Sequence, residues 1–162
     1  MTESEKFTKE YLDYLEIEKN RSSKTRENYE RYLKLFLAEA KIKSLKDITA
    51  ESVRDFRLWL ARRDIKKNTQ SYYVIAIRNF LKYLIKRNVE ALSPDTIELP
   101  KVSRRDIDVL NYGEVERLLA APKSNDLRAL RDKAILETFF STGLRLSELC
   151  KLNRYFDLAR GE

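Results

Sequence analysis

The chain contains little cysteine, proline or glycine. Its 162 residues include one cysteine, three prolines and three glycines. The single cysteine, Cys150, excludes an intrachain disulfide framework and any metal site that needs several thiolates. So few helix-breaking residues predict a mainly helical fold. The residues indicate no metal and no cofactor.

Long apolar runs are also missing from the sequence. No segment approaches the roughly 20 apolar residues that span a bilayer, and the first residues lack the apolar core of a signal peptide. We therefore expect a cytoplasmic protein with no role in a membrane.

Positive charge is the main feature of the composition. The formal net charge is +7 and the isoelectric point is about 9.4, with the basic residues spread through the helical segments. This balance favours polyanionic partners such as nucleic acid, although other acidic partners remain possible on charge alone. The apolar fraction of 43% is enough to build cores, and the length suits one or two small domains.

Four segments in the first ninety residues carry apolar side chains at helical spacing. Each segment begins near a residue that can cap a helix. The candidate caps, in chain order, are Ser4, Ser22 or Ser23, Thr49, and Asn68 or Thr69. Short connections between four such helices predict a compact bundle over residues 1–90.

The helical pattern breaks in residues 91–108, where Pro94 and Pro100 forbid a continuous helix. Lys101, Arg104 and Arg105 make the second half of this segment basic. The composition fits a basic linker between domains or a plain surface loop, and a basic extended segment can follow DNA phosphates. We predict the linker, with a second domain at residues 109–162.

The second domain opens with a capping box formed by Asn111 and Glu114. A short helix follows and ends before Pro122, and a longer one is predicted from about Leu127 to Thr142.

The most informative feature is the end of that longer helix, at Thr142-Gly143-Leu144-Arg145. Glycine takes a positive φ without a steric penalty, so Gly143 can reverse the backbone and set Arg145 on a fixed corner where a new helix opens. The Arg145 guanidinium is always charged and its fork of donors matches two phosphate oxygens. The alternative is an arginine that is merely solvated or paired with Glu148.

Residues 131–149, from Arg131-Asp132-Lys133 through Thr142-Gly143-Leu144-Arg145-Leu146-Ser147-Glu148-Leu149, resemble the first catalytic box of the tyrosine recombinases, or phage integrases, most closely that of Xer-type members. The resemblance implies a four-helix, SAM-like core-binding bundle followed by a truncated, helical start of the catalytic domain. It also implies that Arg145 contacts the scissile phosphate and that Glu148 is a buried support.

The same resemblance implies a function. Such a protein binds duplex DNA, at an inverted-repeat site and with self-association on the DNA, and the full-length parent cuts and rejoins strands through a 3′-phosphotyrosine intermediate. The family chemistry also needs a tyrosine nucleophile, a His-x-x-Arg motif and a hairpin lysine. The chain has no histidine, and Tyr155 lies too near the arginine to serve as the nucleophile. We therefore expect a truncated form that does not cleave DNA.

Two helix starts are candidates for DNA contact, because free backbone N–H groups beside hydroxyl, amide and basic side chains suit phosphates or base edges. The same residue types are ordinary caps. The resemblance favours DNA contact, since the family lays two such helices against the major groove. For Arg78 the alternative is a surface salt bridge. The predicted contacts are Ser23, Lys24, Thr25, Arg26, Asn68, Thr69, Gln70, Ser71, Arg78, Lys101, Arg104 and Arg105.

Two other classes of protein fit the same residues. One is a DNA-binding regulator that has an integrase-like front half and no chemistry. The other is a helical protein-interaction module whose positive charge is incidental. Binding to DNA that weakens steeply with salt would argue against the second class.

Overall fold

The computed structural model describes residues 2–100 and 108–153, and the chain divides into two compact units, residues 1–104 and 105–162. All regular elements in the described residues are helical, which confirms the predicted fold class. The helices are α1 (Glu3–Ile17), α2 (Ser23–Glu39), α3 (Ala50–Ala61), α4 (Lys67–Lys86), α5 (Tyr112–Leu119), α6 (Leu127–Thr142) and α7 (Leu146–Leu149). Short 3-10 helices lie at Leu45–Asp47 and Pro94–Thr96. None of the helices in these ranges is long and apolar enough to cross a membrane.

The first helix is capped by Thr2 and not by Ser4. The Thr2 hydroxyl accepts a hydrogen bond from the Glu5 N–H at 3.2 Å, and the Glu5 carboxylate accepts one from the Thr2 N–H at 2.7 Å. Ser4 is fully buried, and its hydroxyl donates to the Ile42 carbonyl at 3.2 Å. The prediction for Ser4 was wrong because its small side chain ties α1 to the segment that follows α2.

The next two helix starts follow the predictions. The Ser22 hydroxyl accepts from the Thr25 N–H at 3.3 Å, and the Thr49 hydroxyl accepts from the Ser52 N–H at 3.1 Å. The fourth helix differs, because it begins at Lys67 and its N-cap, Lys66, provides no side-chain hydrogen bond. Asn68 and Thr69 therefore lie within the first turn of α4 and neither of them caps it.

The core of the first unit is built around α4, which packs against α1, α2, α3 and the second 3-10 helix. The apolar face of α4 is buried, as its helical spacing predicts: Tyr73, Ile77, Phe80, Leu81 and Leu84. Aromatic rings join the helices, with Tyr11 and Phe80 centred 5.5 Å apart and Phe36 and Phe56 centred 5.1 Å apart. Ring pairs in edge-on and tilted arrangements stabilise the bundle beyond the effect of burying their apolar surface.

Part of the predicted linker packs on the bundle. Pro94 and Ile97 are buried, and Ala91 and Leu92 lie against the core. Pro94 begins the second 3-10 helix, where its fixed φ suits a first helical position. Lys101, Arg104 and Arg105 lie outside the described residues, so the basic half of the linker stays a prediction.

The second unit has the predicted helices but little burial. The Asn111 side chain accepts from the Glu114 N–H at 3.0 Å and the Glu114 carboxylate accepts from the Asn111 N–H at 2.8 Å, which confirms the capping box. None of the residues in α5, α6 and α7 is buried. The side chains of Leu127 and Leu146 are largely exposed.

We expect Phe36→Ala to lower the free energy of unfolding of the bundle by about 3–5 kcal/mol, because Phe36 is fully buried and its removal leaves a cavity. Leu58→Ala, at an exposed position of the neighbouring helix α3, is the matched control and should cost less than about 1 kcal/mol. Urea unfolding followed by the fluorescence of Trp59, the chain's one tryptophan, measures both. Equal losses for the two variants would contradict this core.

Candidate nucleic-acid interface

The start of α2 presents small polar and basic side chains to solvent. Ser22 is occupied as the cap, while Ser23 and Lys24 are exposed. The Lys24 ammonium lies 2.9 Å from the Glu27 carboxylate, in an exposed pair that can exchange partners easily. The Thr25 hydroxyl is 3.0 Å from that of Ser22. Ser23 and Lys24 are thus positioned to meet a ligand beside the first turn.

Arg26 faces the protein instead. Its guanidinium lies 3.7 Å from Asp13, 3.0 Å from Glu16 and 3.4 Å from Glu30, so it links α1 to α2. A hydrogen bond from Lys34, together with the charges of Lys34 and Arg26, lowers the pKa of Glu30 below its usual range. In this arrangement the charge of Arg26 is neutralised by the protein, which makes it a weaker candidate for DNA than Lys24.

The start of α4 shows a similar division. Asn68 is exposed and Thr69 is half-buried. The Gln70 amide donates to the Ile65 carbonyl at 2.7 Å and so closes the turn that precedes the helix. Ser71 is buried, and its hydroxyl donates to the Lys67 carbonyl at 3.1 Å. Ser71 therefore belongs to the interior of the bundle, which corrects its place among the predicted DNA contacts.

The two helix starts lie in different clefts of the first unit. The Asn79 amide donates to the Tyr29 hydroxyl at 3.0 Å, and the rings of Tyr32 and Tyr73 are centred 4.6 Å apart. These two contacts show that α2 and α4 run in opposite directions where they pack. Thr25 consequently lies beside the second half of α4, in a cleft of about 480 Å³. Gln70 lines a separate cleft of about 390 Å³ with residues of α3.

The basic side chains that surround Thr25 are not among the contacts predicted from the sequence. The cleft of about 480 Å³ is lined by Lys19 and Arg21, from the connection between α1 and α2, and by Lys82 and Lys86 of α4. The available signal was the spacing of Lys82 and Lys86, which puts them on one helix face. Nothing in the sequence pattern places Lys19 and Arg21 beside them, because that depends on how α1 packs on α4.

Arg78 makes the salt bridge that was its alternative role. Its guanidinium lies 3.3 Å from the carboxylate of Asp95, in the second 3-10 helix. The Asp95 side chain is 87% exposed, so the pair is largely screened by water and contributes little to stability. The contact still holds the guanidinium toward the segment that follows α4.

The corner at the end of α6 forms as predicted. Gly143 has φ +66°, in the left-handed region, and its N–H donates to the Phe139 carbonyl at 2.9 Å. A Cβ placed on Gly143 would meet nothing within 4 Å, so the need for glycine comes from the backbone alone. Arg145 follows as the N-cap of α7.

Arg145 is exposed and is held by Glu148. Its guanidinium lies 3.0 Å from one oxygen of the Glu148 carboxylate, and its backbone N–H donates to the other oxygen at 2.8 Å. The side chain of Arg145 is 82% exposed and that of Glu148 is 45% exposed. The expectation of a buried Glu148 was therefore wrong, because the four residues of α7 are not buried and nothing in the described part of the second unit covers the carboxylate.

The described residues thus combine a helical bundle with exposed polar helix starts and an arginine on a glycine corner. Residues 8–88 match the family model described as "Phage integrase, N-terminal SAM-like domain". The chain belongs to the phage integrase, or tyrosine recombinase, family. This agrees with the resemblance of residues 131–149 and with the predicted SAM-like bundle.

Relatives of the same kind match nearly the whole chain. "Tyrosine recombinase XerC" of Syntrophus aciditrophicus is 35% identical over 156 residues, which is 90% of this chain and 50% of the relative. "Tyrosine recombinase XerD" of Halalkalibacterium halodurans is 31% identical over 148 residues, 88% of this chain and 50% of the relative. "Tyrosine recombinase XerC" of Natranaerobius thermophilus is 34% identical, and the match covers 94% of this chain and 52% of the relative. The chain therefore spans about half the length of the curated relatives it matches.

We expect Gly143→Ala to loosen the corner, because an L-residue at this φ costs about 1–2 kcal/mol. Amide hydrogen exchange of residues 127–149, followed by mass spectrometry, should become about 5- to 30-fold faster. Gly143→Asn is the control and should change exchange less, since asparagine tolerates the left-handed region. Unchanged exchange in Gly143→Ala would show that this segment does not depend on the corner.

Proposed function

We propose that this chain is the DNA-binding and phosphate-contacting part of a site-specific recombinase that cuts and rejoins DNA through a 3′-phosphotyrosine intermediate. The observation that carries the proposal is the corner at Gly143, which holds Arg145 in solvent within a segment that resembles the first catalytic box of the family. The match of residues 8–88 to the integrase bundle supports it independently.

Arg145 is the residue we assign to the scissile phosphate. A guanidinium has five N–H donors, and the contact with Glu148 engages one of its terminal nitrogens. The remaining donors suit two oxygens of a phosphodiester, and would stabilise the negative charge that develops when the phosphorus is attacked. Glu148 is a positioning residue, because it holds both the backbone and the side chain of Arg145.

Strand cleavage needs more groups than Arg145. A tyrosine oxygen must attack the phosphorus and displace the 5′-oxygen, which must receive a proton, while several donors stabilise the transition state. The 162-residue chain contains no histidine to form a His-x-x-Arg motif, and we assign no nucleophile among its tyrosines. We therefore expect this chain to bind duplex DNA without cutting it.

The surface that we propose for duplex DNA lies on the first unit. It includes the exposed Ser23 and Lys24 beside the first turn of α2, with Thr25 in the adjoining cleft. Asn68 and Thr69 form a second contact at the start of α4, and Arg78 is a further candidate near Asp95. Lys101, Arg104 and Arg105 are proposed on composition alone, as cations that follow phosphates along a groove.

We further propose that the target is an inverted-repeat site and that chains associate on it. Two copies on such a site would be related by a two-fold axis that mirrors the symmetry of the DNA. The exposed apolar side chains of the second unit, including Leu146 and Leu152, support association because such residues favour contact with another protein surface.

Binding to duplex DNA tests the proposal directly. We expect the affinity measured by fluorescence anisotropy to fall about 10²-fold between roughly 50 and roughly 200 mM salt, as four phosphate contacts would require. The same duplexes, containing Xer-type inverted repeats, should show no cleaved strand and no covalent protein–DNA adduct on denaturing gels.

The outcomes separate the three classes of function. Negligible binding at low salt would overturn the proposal and favour the protein-interaction module. Binding together with a cleaved strand would overturn the assignment of this chain as non-cleaving. Binding without cleavage supports the proposal, and the sequence of the reading frame beyond Glu162 then distinguishes a part of a recombinase from a naturally short regulator.

The role of Arg145 has its own test. We expect Arg145→Gln to make the salt dependence of DNA binding shallower by about one unit of slope, because one phosphate contact is lost. The control is Arg128→Gln, which replaces an exposed arginine of α6 and changes the net charge by the same amount as Arg145→Gln. It should leave the slope unchanged. Equal slopes for the two variants would remove Arg145 from the phosphate contacts of this chain.

A further inference from the structure

The cleft beside Thr25 carries several positive charges. We name it the α1–α4 cleft and define its basic set as Lys19, Arg21, Lys82 and Lys86. None of the described residues that line it is acidic. Elsewhere in the bundle, basic side chains such as Arg26 and Arg87 contact carboxylates. The α1–α4 cleft therefore contains positive charge that its own lining does not neutralise.

The connection that supplies Lys19 and Arg21 is ordered by backbone hydrogen bonds. The Lys19 N–H donates to the Tyr14 carbonyl at 3.1 Å, and the Arg21 N–H donates to the Leu15 carbonyl at 2.9 Å. Asn20 lies between them with φ +46°, a left-handed conformation that asparagine tolerates and that ends many helices. The two cations are thus carried on a fixed turn, which lowers the entropy lost on binding a ligand.

Cations from two separate elements lie near one aromatic ring. The Lys19 ammonium is 5.8 Å and the Lys86 ammonium is 5.5 Å from the centre of the Tyr14 ring. The ring attracts both ammonium groups. The Arg87 guanidinium, which pairs with Glu18, lies 5.9 Å from the centre of the same ring. Lys82 and Lys86 are one helical turn apart and add their charge to the same face of α4.

Neutral hydrogen-bond donors also line the cleft. The Tyr29 hydroxyl accepts a hydrogen bond from Asn79 and keeps its own proton for another acceptor. Burial raises the pKa of Tyr83 above its usual range, so this hydroxyl also stays protonated. A site that combines several cations with hydroxyl and amide donors matches the oxygens of phosphate groups.

We propose that the α1–α4 cleft binds the phosphate backbone of one DNA strand and so anchors the start of α2 on the duplex. This inference rests on the proposed function, and it adds contacts that the polar helix starts do not supply. Thr25 lines the cleft and follows Ser23 and Lys24 directly, so the anchored phosphates and the proposed contacts of α2 form one continuous surface. In this arrangement the phosphate contacts fix the position of the bundle along the duplex, and the start of α2 contacts the DNA groove.

The paired variants Lys82→Gln/Lys86→Gln test the cleft. We expect the slope of log affinity against log salt to become shallower by about two units, and the affinity near 100 mM salt to fall about 10- to 100-fold. The thermal midpoint of the free protein at low salt should stay equal or rise, because the variant relieves repulsion between like charges. Lys82→Arg/Lys86→Arg keeps the charge and should retain the wild-type slope.

The matched control is Lys9→Gln/Lys46→Gln, which makes the same change in net charge at two exposed lysines outside the cleft. Lysine acetylation followed by mass spectrometry gives a second readout on the unaltered chain. Bound duplex should protect Lys19, Lys82 and Lys86 from acetylation several-fold more than it protects Lys9 and Lys46.

The possible results are distinct. If the wild type binds DNA while the cleft pair and the control pair show the same slope, the inference is overturned and the proposed function stands. If the wild type fails to bind at low salt, both are overturned. If the α4 pair misfolds, as reported by Trp59 fluorescence, Lys19→Gln/Arg21→Gln in the connection decides the question by the same change in slope, and an unchanged slope there overturns the inference.

Discussion

Burial of one face of α4 is the constraint on which the rest of the bundle depends. Phe80, Leu81 and Leu84 are fully buried, and this helix packs against each of the three other helices of its unit. Burying side chains of this size supplies most of the favourable free energy of a small domain. The positions of α1 and α2 follow from how each covers α4.

The distribution of charge follows from the same packing. Where α1 meets α2, Arg26 lies among Asp13, Glu16 and Glu30 and its charge is matched locally. Where the end of α1 meets the second half of α4, the lining of the α1–α4 cleft carries basic and neutral groups only, as far as the described residues extend. The packing of the helices thus leaves a local positive charge in this cleft, and such a local field attracts a polyanion.

In the second unit, local backbone signals and not burial determine the structure. Its local signals are strong, since a capping box starts α5 and a left-handed glycine ends α6. Its tertiary support is weak, because no residue of α5, α6 or α7 is buried. Local backbone preferences are sufficient to set the corner that carries Arg145, whereas the burial expected for Glu148 requires packing that the described residues do not provide. This explains why the corner was predicted correctly and the environment of Glu148 was not.

The sequence alone determined the features that depend on neighbours in the chain. These include the helical class, the caps at Ser22, Thr49 and Asn111, the limits of α6 and the glycine corner, because propensity, capping and φ are local properties. Tertiary structure alone decided that Ser4 and Ser71 are interior, that α1 contributes carboxylates to Arg26, and that Lys19 and Lys86 both lie near the Tyr14 ring. Each of these outcomes depends on which helix faces pack together, and residues distant in the sequence set that packing through shape and burial.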